Sequence, residues 1–240
     1  MNDLAEFLEG ARHWRVRYHA RQVIFDEAEP SNAVFRIETG CVRLQIIGES
    51  GRRQILGFLF AGDIFGVCAP ERITAAEAVT DVELMRYSLE SVLQLSSKSR
   101  ELTVELIRAA NRLFNDVAHH LEHVGHMSAT ERVLWFLTWL AHRQGRGTGE
   151  TVSLPMTLRD VGDFLALTPE TLSRVLRELE SDRHLSRRGR GAFAIRQPSF
   201  ALRMLESGSE PMASPTASVK TVSQNKNSEE LIHRQVRLDR

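Results

Sequence analysis

The chain has 240 residues, and its 31 basic and 31 acidic side chains leave no formal net charge at pH 7. Its 42% hydrophobic and 26% charged content is typical of a globular protein long enough to hold two domains. No apolar run approaches the ~20 residues of a membrane span, and the N-terminus lacks a basic segment followed by an apolar one. We therefore expect a cytoplasmic protein with no membrane partner.

Cysteine content and motif content argue against a cofactor and against catalysis. Cys41 and Cys68 are too few for a disulfide framework or for a four-cysteine metal or iron–sulfur site. An apolar neighbourhood favours an inert Cys68 thiol over a redox-active one. No set of nucleophile, base and orienting group, and no phosphate-binding glycine loop, stands at a meaningful spacing. We expect no cofactor, no metal, no catalytic residue and no enzyme activity.

The N-terminal part, residues 1–98, is predicted to be a β-rich sensor-like domain. Leu4, Phe7 and Leu8 suggest a short opening helix, and from Trp14 to Tyr87 short apolar segments alternate with glycine-containing turns. The predicted strands are 23–25, 34–37, 41–47, 53–58, 78–79 and 82–85. Many short strands at this spacing indicate a barrel, sandwich or roll.

A helical period replaces the strand pattern near Ser99. Apolar side chains then step by threes and fours over about 22 positions, which is long for a surface helix. We predict a dimerisation helix over residues 99–127, and a helix packed only on its own domain is the alternative. The predicted dimer contacts are Leu102, Leu106, Leu113, Val117, Leu121 and Val124, with Ala109 on the same face. A break at 125–128 is expected to be the hinge between the sensor and the rest of the chain.

Four histidines fall near the end of this helix. His119, His123 and His126 are spaced i, i+4 and i+7, and His120 is adjacent. That spacing is compatible with zinc binding or with a response to pH. Because the helix dipole also favours histidine near a C-terminus, the pattern by itself assigns neither role.

Residues 128–205 are predicted to form a DNA-binding domain of capped helices, two of which are joined by a tight turn. Ser128 to Glu131 and Thr157 to Asp160 both have the form of a capping box. The second box opens a short apolar helix, and residues 166–167 lead directly into a helix at 168–181. This arrangement is typical of a helix-turn-helix, whose second helix docks in the major groove of double-stranded DNA.

The helix at 168–181 has one apolar face and one face suited to base reading. Thr168 is at the N-cap and Pro169 at the first helical position. Glu170, Ser173 and Arg174 lie on the polar side. Arginine matches the guanine O6 and N7 acceptors, a carboxylate accepts from the cytosine amine, and serine fits against the thymine methyl group. An amphipathic helix with an internal glutamate–arginine pair is the alternative.

Basic residues continue beyond this helix. Between Glu170 and Arg203 there are eight arginines against four acids, and residues 184–195 alternate around a glycine- and arginine-rich centre. We predict a β-hairpin wing with a basic tip and a cationic stripe for phosphates. The predicted backbone contacts are Thr168, Thr171, Arg177, Arg187, Arg188 and Arg190. From residue 206 the composition becomes rich in serine and proline, which predicts a disordered tail over 206–240.

The order of roll, long helix and winged helix resembles the Crp/Fnr family of bacterial transcription regulators over residues 14–205. Residues 35–44 and 61–66 resemble the β-roll signatures of the family, and residues 170–174 match the E-x-x-S-R of its Fnr/FixK branch. The resemblance implies an α+β fold: a cyclic-nucleotide-binding-like jelly roll, a long dimerisation helix and a C-terminal winged helix-turn-helix. It also implies a homodimeric regulator, more often an activator, that reads a TTGA-type inverted repeat and acts with RNA polymerase.

Departures from the family pattern affect the expected signal. Cyclic-AMP-binding members have a glutamate after the glycine of the G-D-x-x-G stretch, whereas Val67 follows Gly66 here, and an extra residue interrupts the segment after Arg72. A valine cannot accept the ribose hydroxyl. The cysteine cluster of Fnr is also missing. The resemblance then points to FixK-like control of oxygen-limited or nitrogen-related metabolism and leaves any small-molecule effector open. A ligand-gated, cyclic-nucleotide-like module that signals through protein contacts is the alternative function.

Overall fold

A computed structural model describes residues 4–49, 51–67, 72–147, 149–189 and 191–196. Cys68, Arg190 and the predicted tail at 206–240 lie outside the described residues, so their predicted roles stay predictions. In the part of the chain that is described, we find no helix that combines the length and apolarity of a membrane span.

The N-terminal unit is a roll of two four-stranded antiparallel sheets. The opening helix is α1 (Leu4–Leu8). The strands are β1 (His13–Tyr18), β2 (Val23–Phe25), β3 (Ala33–Thr39), β4 (Cys41–Ile47), β5 (Arg53–Phe60), β6 (Ile64–Phe65), β7 (Ala75–Ala78) and β8 (Val82–Ser88). One sheet has the order β1-β8-β3-β6 and the other β2-β7-β4-β5. The predicted β-roll is confirmed.

Strand boundaries depart from the sequence prediction where the apolar signal is weak. The strand predicted at 78–79 begins instead at Ala75, because small alanines with little strand preference form β7 through pairing with β4. The two-residue β6 was missed, and it exists by pairing with Phe35 and Arg36. Tertiary pairing, rather than local propensity, defines both strands.

The interior of the roll is filled by aromatic and aliphatic side chains. Phe35 and Phe65 stack with ring centroids 5.2 Å apart, and Phe25 lies 5.9 Å from the Phe35 ring. These three rings and the surrounding aliphatic side chains form one buried cluster. The space between the two sheets is therefore a packed core at this level.

Two helices follow the roll. Helix α2 (Leu89–Ser96), which the sequence analysis missed, is capped by Ser88. Helix α3 (Arg100–His126) is capped by Ser99, whose side chain accepts from Leu102 N. The predicted long helix is thus confirmed, and the chain leaves helical geometry at Met127, within the predicted hinge.

The C-terminal unit contains three helices and a small sheet. Its elements are α4 (Ala129–Arg143), β9 (Thr151–Ser153), α5 (Leu158–Leu165), α6 (Pro169–Ser181), β10 (Leu185–Gly189) and β11 (Ala192–Ile195). The three strands are ordered β10-β11-β9, so the predicted wing hairpin has an additional partner, β9, that was not predicted. Both predicted capping boxes are present, at Ser128 and at Thr157.

Candidate nucleic-acid interface

A tight turn sets the angle between α5 and α6. Ala166 adopts a left-handed conformation with φ of 53°, and Leu167 N donates to Gly162 O at 2.9 Å. A Cβ atom added to Gly162 would lie 2.9 Å from the Leu167 carbonyl oxygen, so the turn requires glycine at this position. Arg132 of α4 donates to the carbonyls of Met127 and Leu165, at 3.0 and 3.1 Å. One side chain therefore ties the end of α3 to the end of α5.

Helix α6 is held by its cap and by its apolar face. The Thr168 hydroxyl accepts from Thr171 N at 3.2 Å, and proline occupies the first turn. Its apolar side chains, which are all at most 3% exposed, join the core of the C-terminal unit: Leu172, Val175, Leu176 and Leu179. Packing thus fixes which side of the helix remains in solvent.

The three predicted base-reading residues all lie on the solvent side of α6. Glu170, Ser173 and Arg174 are exposed, and the Arg174 side chain retains 61% of its accessible surface. Arg174 Nη1 lies 3.2 Å from Glu178 Oε1, so its ion pair runs toward the C-terminus of the helix and not toward Glu170. An exposed pair of this type contributes little to stability. The guanidinium is therefore free to exchange this partner for a nucleic-acid base.

The predicted backbone-contacting residues flank this face. Thr168 and Arg177 are exposed, Thr171 is half-buried, and Arg177 Nε donates to the Ser173 carbonyl at 3.2 Å. The two hydroxyl groups at the start of the helix suit phosphate oxygens, which also benefit from the positive end of the helix dipole. Arg177 lies farther along the helix and offers a guanidinium to the same kind of partner.

The wing, formed by β10 and β11, carries Arg187 and Arg188 near the end of its first strand. Arg187 Nε lies 2.9 Å from Glu180 of α6, and its guanidinium is 5.3 Å from the centre of the Phe193 ring. Arg188 is exposed, and a register shift lies between Arg187 and Gly189. The wing is consequently attached to α6 through Arg187, while Arg188 extends into solvent.

The solvent-facing stripe of α3 differs from the predicted dimer seam. Leu102 is 1% exposed within a core that α1 and α2 share, so it is unavailable to a second chain and its assignment as a dimer contact is wrong. Leu106 packs against the same core and Leu113 against the core of the roll, while Val117 and Val124 are half-buried. Leu121, in contrast, is 63% exposed. A spacing of three and four residues predicts which side chains share a helix face, but it does not predict which neighbouring element that face contacts.

A different set of α3 residues faces solvent in strict heptad spacing. Val104, Ile107, Phe114 and Leu121 are 37, 56, 71 and 63% exposed. Alternating steps of three and four residues connect the full exposed stripe: Val104, Ile107, Asn111, Phe114, Ala118, Leu121 and Gly125. We call this set the α3 stripe.

The histidines predicted to share one face separate into two environments. His120 and His123 are 2 and 3% exposed, whereas His126 is exposed and His119 pairs with Glu122 at 3.6 Å. The His120 ring stacks on Phe164 at 4.1 Å, and the His123 ring lies 4.4 Å from Trp135. Burial lowers the pKa of His120 to about 4 and also lowers the pKa of His123. These two imidazoles are neutral parts of the aromatic core.

Gly66 and Arg72, which lie where the sequence departs from the cyclic-nucleotide-binding pattern, both make close contacts inside the roll. Arg72 is buried, its guanidinium lies 3.9 Å from the centre of the Phe25 ring, and it donates to Ala33 O at 3.5 Å. Gly66 has φ of 83°, and a Cβ there would meet Ala33 O at 2.9 Å. Cys41, at the start of β4, is 1% exposed, and burial raises the pKa of its thiol.

Two arginines that were not among the predicted site residues contact the helix-turn-helix. Arg43 on β4 and Arg53 on β5 both donate to Asp160 of α5. The available signal was an arginine inside the mostly apolar strand 41–47. A charged residue in a buried strand requires a partner, but its position in sequence does not identify that partner.

Comparisons with known proteins agree with this architecture. The Cyclic nucleotide-binding domain family matches residues 15–99, and the Crp-like helix-turn-helix domain family matches residues 131–200. The transcriptional activatory protein AadR of Rhodopseudomonas palustris is 32% identical over 184 residues, which cover 75% of this chain and 76% of AadR. The nitrogen fixation regulation protein FixK of Rhizobium meliloti is 31% identical over 189 residues, which cover 78% of this chain and 85% of FixK.

A solved structure extends the match to three dimensions. The structure of FixK2 from Bradyrhizobium japonicum superimposes with a TM-score of 0.74 at 28% identity, covering 85% of this chain and 98% of FixK2. The roll, long helix and helix-turn-helix therefore occur in the same order in a relative of nearly the same extent. The chain belongs to the Crp/Fnr family of transcription regulators, and its relatives place it among the FixK-like members.

Proposed function

We propose that the protein is a homodimeric transcription activator that recognises a TTGA-type inverted repeat through Glu170, Ser173 and Arg174. One observation carries the proposal: these three side chains are exposed together on the solvent face of α6, while the opposite face of the helix is fully packed. Arg174 contacts guanine, Glu170 the G·C pair and Ser173 the thymine methyl group. Thr168, Thr171, Arg177, Arg187, Arg188 and Arg190 contact the sugar–phosphate backbone.

The α3 stripe supports the dimer. Seven exposed positions in heptad spacing match the contact pattern of two parallel helices, and Phe114 at 71% exposure is a large apolar side chain without cover in one chain. Asn111, a polar residue at one such position, would fix the register of the pair. A second copy of this chain buries the stripe and brings two α6 helices to one palindrome.

Substitution within the α3 stripe tests the dimer. Phe114→Glu is expected to convert the protein to a monomer in sedimentation velocity, because it places two carboxylates in the seam. Leu93→Glu is the matched control, since Leu93 is 57% exposed on α2 and is not part of the α3 stripe. A Phe114→Glu protein that sediments as a dimer would exclude the α3 stripe as the dimer interface.

Base reading is tested by comparing a substitution at a proposed base contact with one at a proposed phosphate contact. Arg174→Ala is expected to cost about 1–3 kcal/mol on a TTGA palindrome and to relax the preference at that base pair. Arg188→Ala should weaken binding to all sequences alike and reduce the salt slope by about one. Band-shift titrations over several salt concentrations measure both, and full discrimination by Arg174→Ala would exclude the assignment.

The biological role follows from the relatives. AadR is named a transcriptional activatory protein and FixK a nitrogen fixation regulation protein. We infer activation of genes for oxygen-limited or nitrogen-related metabolism in the cytoplasm, with RNA polymerase as the partner. Activation by DNA binding calls for no catalytic group.

The packed aromatic core of the roll and the internal contacts of Arg72 favour control without a cyclic nucleotide. The Phe25, Phe35 and Phe65 rings pack together inside the roll, Arg72 lies against the Phe25 ring, and Val67 offers no acceptor for a ribose hydroxyl. Calorimetric titration with cyclic AMP and cyclic GMP should release no binding heat. Tight binding of either nucleotide would support the ligand-gated alternative instead.

A further inference from the structure

Four charged side chains join the roll to the first helix of the helix-turn-helix. Arg53 Nη2 lies 2.7 Å from Asp160 Oδ1, and Arg53 Nε lies 2.9 Å from Asp163 Oδ2. Arg43 Nη1 donates to the same Asp160 oxygen at 3.0 Å. The two arginines belong to β4 and β5, and the two carboxylates belong to α5. We call Arg43, Arg53, Asp160 and Asp163 the latch.

The latch is largely removed from solvent. The side chains of Arg43 and Asp160 are 11 and 5% exposed, and those of Arg53 and Asp163 are 23 and 28% exposed. The second oxygen of Asp160 accepts from Thr157 N at 3.1 Å and from the Thr157 hydroxyl at 2.7 Å. The carboxylate that caps α5 therefore also binds both arginines, which makes this a multiply bonded network and not an isolated surface pair.

Further contacts hold the same two elements together. Gln54 Nε2 donates to the Asp163 carbonyl at 3.0 Å, and the Phe58 ring of β5 lies 5.4 Å from Phe164 of α5. Phe58 is fully buried and belongs to the same core as α4, α5 and α6. The β4–β5 hairpin thus packs on the DNA-reading unit as an integral neighbour.

The latch lies on α5 and leaves the reading face of α6 uncovered. Glu170, Ser173 and Arg174 are solvent-exposed while the latch is closed, so the closed state leaves the reading face open to DNA. The direct chain connection from α3 to the reading unit is the short non-helical joint at Met127 and Ser128. Such a joint alone permits rotation, whereas contacts on α5 restrict it.

Resting on the dimeric palindrome reading proposed above, we propose that the latch is a positioning device that fixes each α6 relative to α3 and thereby sets the half-site spacing. A rigid pair of reading heads accepts one spacing, because the second head then meets its half-site at high effective concentration. When the latch is open, the hold on α5 is weakened to the Phe58–Phe164 packing and its neighbours, so each head also reaches adjacent spacings, at lower effective concentration.

Charge exchange across the latch provides the test. Arg53→Asp places a third carboxylate beside Asp160 and Asp163 and opens the latch. Adding Asp163→Arg to this variant restores opposite charges, with the new arginine near both residue 53 and Asp160. Arg53→Gln keeps part of the stem and removes the charge, and it serves as the milder variant should Arg53→Asp fail to fold. Arg52→Asp is the matched control, since Arg52 is the adjacent arginine and is exposed.

Fluorescence anisotropy of the full chain on palindromes whose spacer is changed by one or two base pairs gives the readout. We expect the unaltered protein and Arg52→Asp to prefer one spacer by about tenfold or more, and Arg53→Asp to bind all spacers within about threefold. The double variant should recover the preference. Circular dichroism of each variant checks the fold, and a loss of stability alone would lower all affinities without flattening the spacer profile.

Two results separate the possible failures. If the unaltered protein binds a palindrome no better than a single half-site, the proposed function fails and the latch proposal fails with it. If the unaltered protein selects one spacer and both Arg53→Asp and Arg53→Gln select it equally, the latch proposal alone is overturned.

Discussion

The helix-turn-helix unit has an outer face, the exposed side of α6, and an inner face, where α5 packs on β4 and β5 of the roll. The charged pairs on these two faces differ in their exposure to solvent. On the outer face, Arg174 is 61% exposed and pairs with Glu178 along its own helix. On the inner face, Arg43 is 11% exposed and binds Asp160, which lies 117 positions away in sequence. The outer arginine can exchange its partner for a ligand, whereas the inner arginine cannot leave without exposing a buried carboxylate. An exposed pair leaves its arginine exchangeable, as the proposed base reading requires, whereas a buried pair serves the packing of the two units.

Breaking the aromatic core of the inner face should have the largest effect on stability. Phe164 is fully buried and packs against Phe58, Trp135 and His120. Phe164→Ala is expected to lower the free energy of unfolding by about 3–5 kcal/mol, because it leaves a cavity shared by both units. Urea denaturation measures the change. Ile73→Ala, at a side chain that is 77% exposed, is the control and should stay within about 0.5 kcal/mol.

The outer face could be predicted from the sequence, whereas the contacts of the inner face could not. The shared solvent-facing position of Glu170, Ser173 and Arg174 was predictable because it depends on local helix geometry. The partners of Arg43 and Arg53 were not, because long-range packing of the hairpin on α5 decides them. Leu102 illustrates the same limit: its helical period was correct, but the burial of that face depends on α1 and α2, and α2 was not predicted.

Acid should destabilise the inner face through His120. Its pKa falls from the ordinary 6.5 to about 4 because burial disfavours the charged ring. The unfolded chain therefore binds a proton between these values while the folded chain does not, and stability is lost as the pH falls from 6.5 to 4. This difference corresponds to about 3 kcal/mol. His120→Phe keeps a ring on Phe164 and should make the loss of stability between pH 8 and pH 4.5 smaller than in the unaltered protein, as measured by thermal unfolding.

Asp116 on α3 contributes with the opposite sign. Burial and the nearby Asp63 raise its pKa to about 7, so its contribution to stability is lost as the pH rises from 3.8 to 7. Asp116→Asn is therefore expected to unfold at a higher temperature than the unaltered protein at pH 8 and to lose that advantage toward pH 4. Equal melting differences at both pH values would contradict the assignment for Asp116.

The turn that joins the two faces should respond to a single methyl group. Gly162→Ala places a Cβ 2.9 Å from the Leu167 carbonyl oxygen, and the backbone must shift to accept it. We expect a loss of about 1–3 kcal/mol in urea denaturation. Gly48→Ala, in the turn between β4 and β5, is a suitable comparison, since the nearest atom to its added Cβ is the Arg52 carbonyl oxygen at 3.8 Å, an ordinary contact. A Gly162→Ala protein as stable as the unaltered one would show that the turn adapts.

Changes on the outer face should have the smallest effect on stability. Arg174→Ala and Glu178→Gln each remove one member of an exposed ion pair and should change the free energy of unfolding by no more than about 0.5 kcal/mol. A loss above 2 kcal/mol would mean that Arg174 supports the fold, and the contrast between the two faces would then be incorrect.

Selection of bound sequences from a random double-stranded DNA library tests the central claim most directly. We predict that the full chain enriches an inverted repeat of TTGA-type half-sites at one dominant spacing, because two outward-facing α6 helices read one palindrome. Arg174→Ala, selected in parallel, should lose the preference at the guanine position and keep the rest. Enrichment of no common motif by the unaltered protein, or of the same motif by Arg174→Ala, would contradict the account.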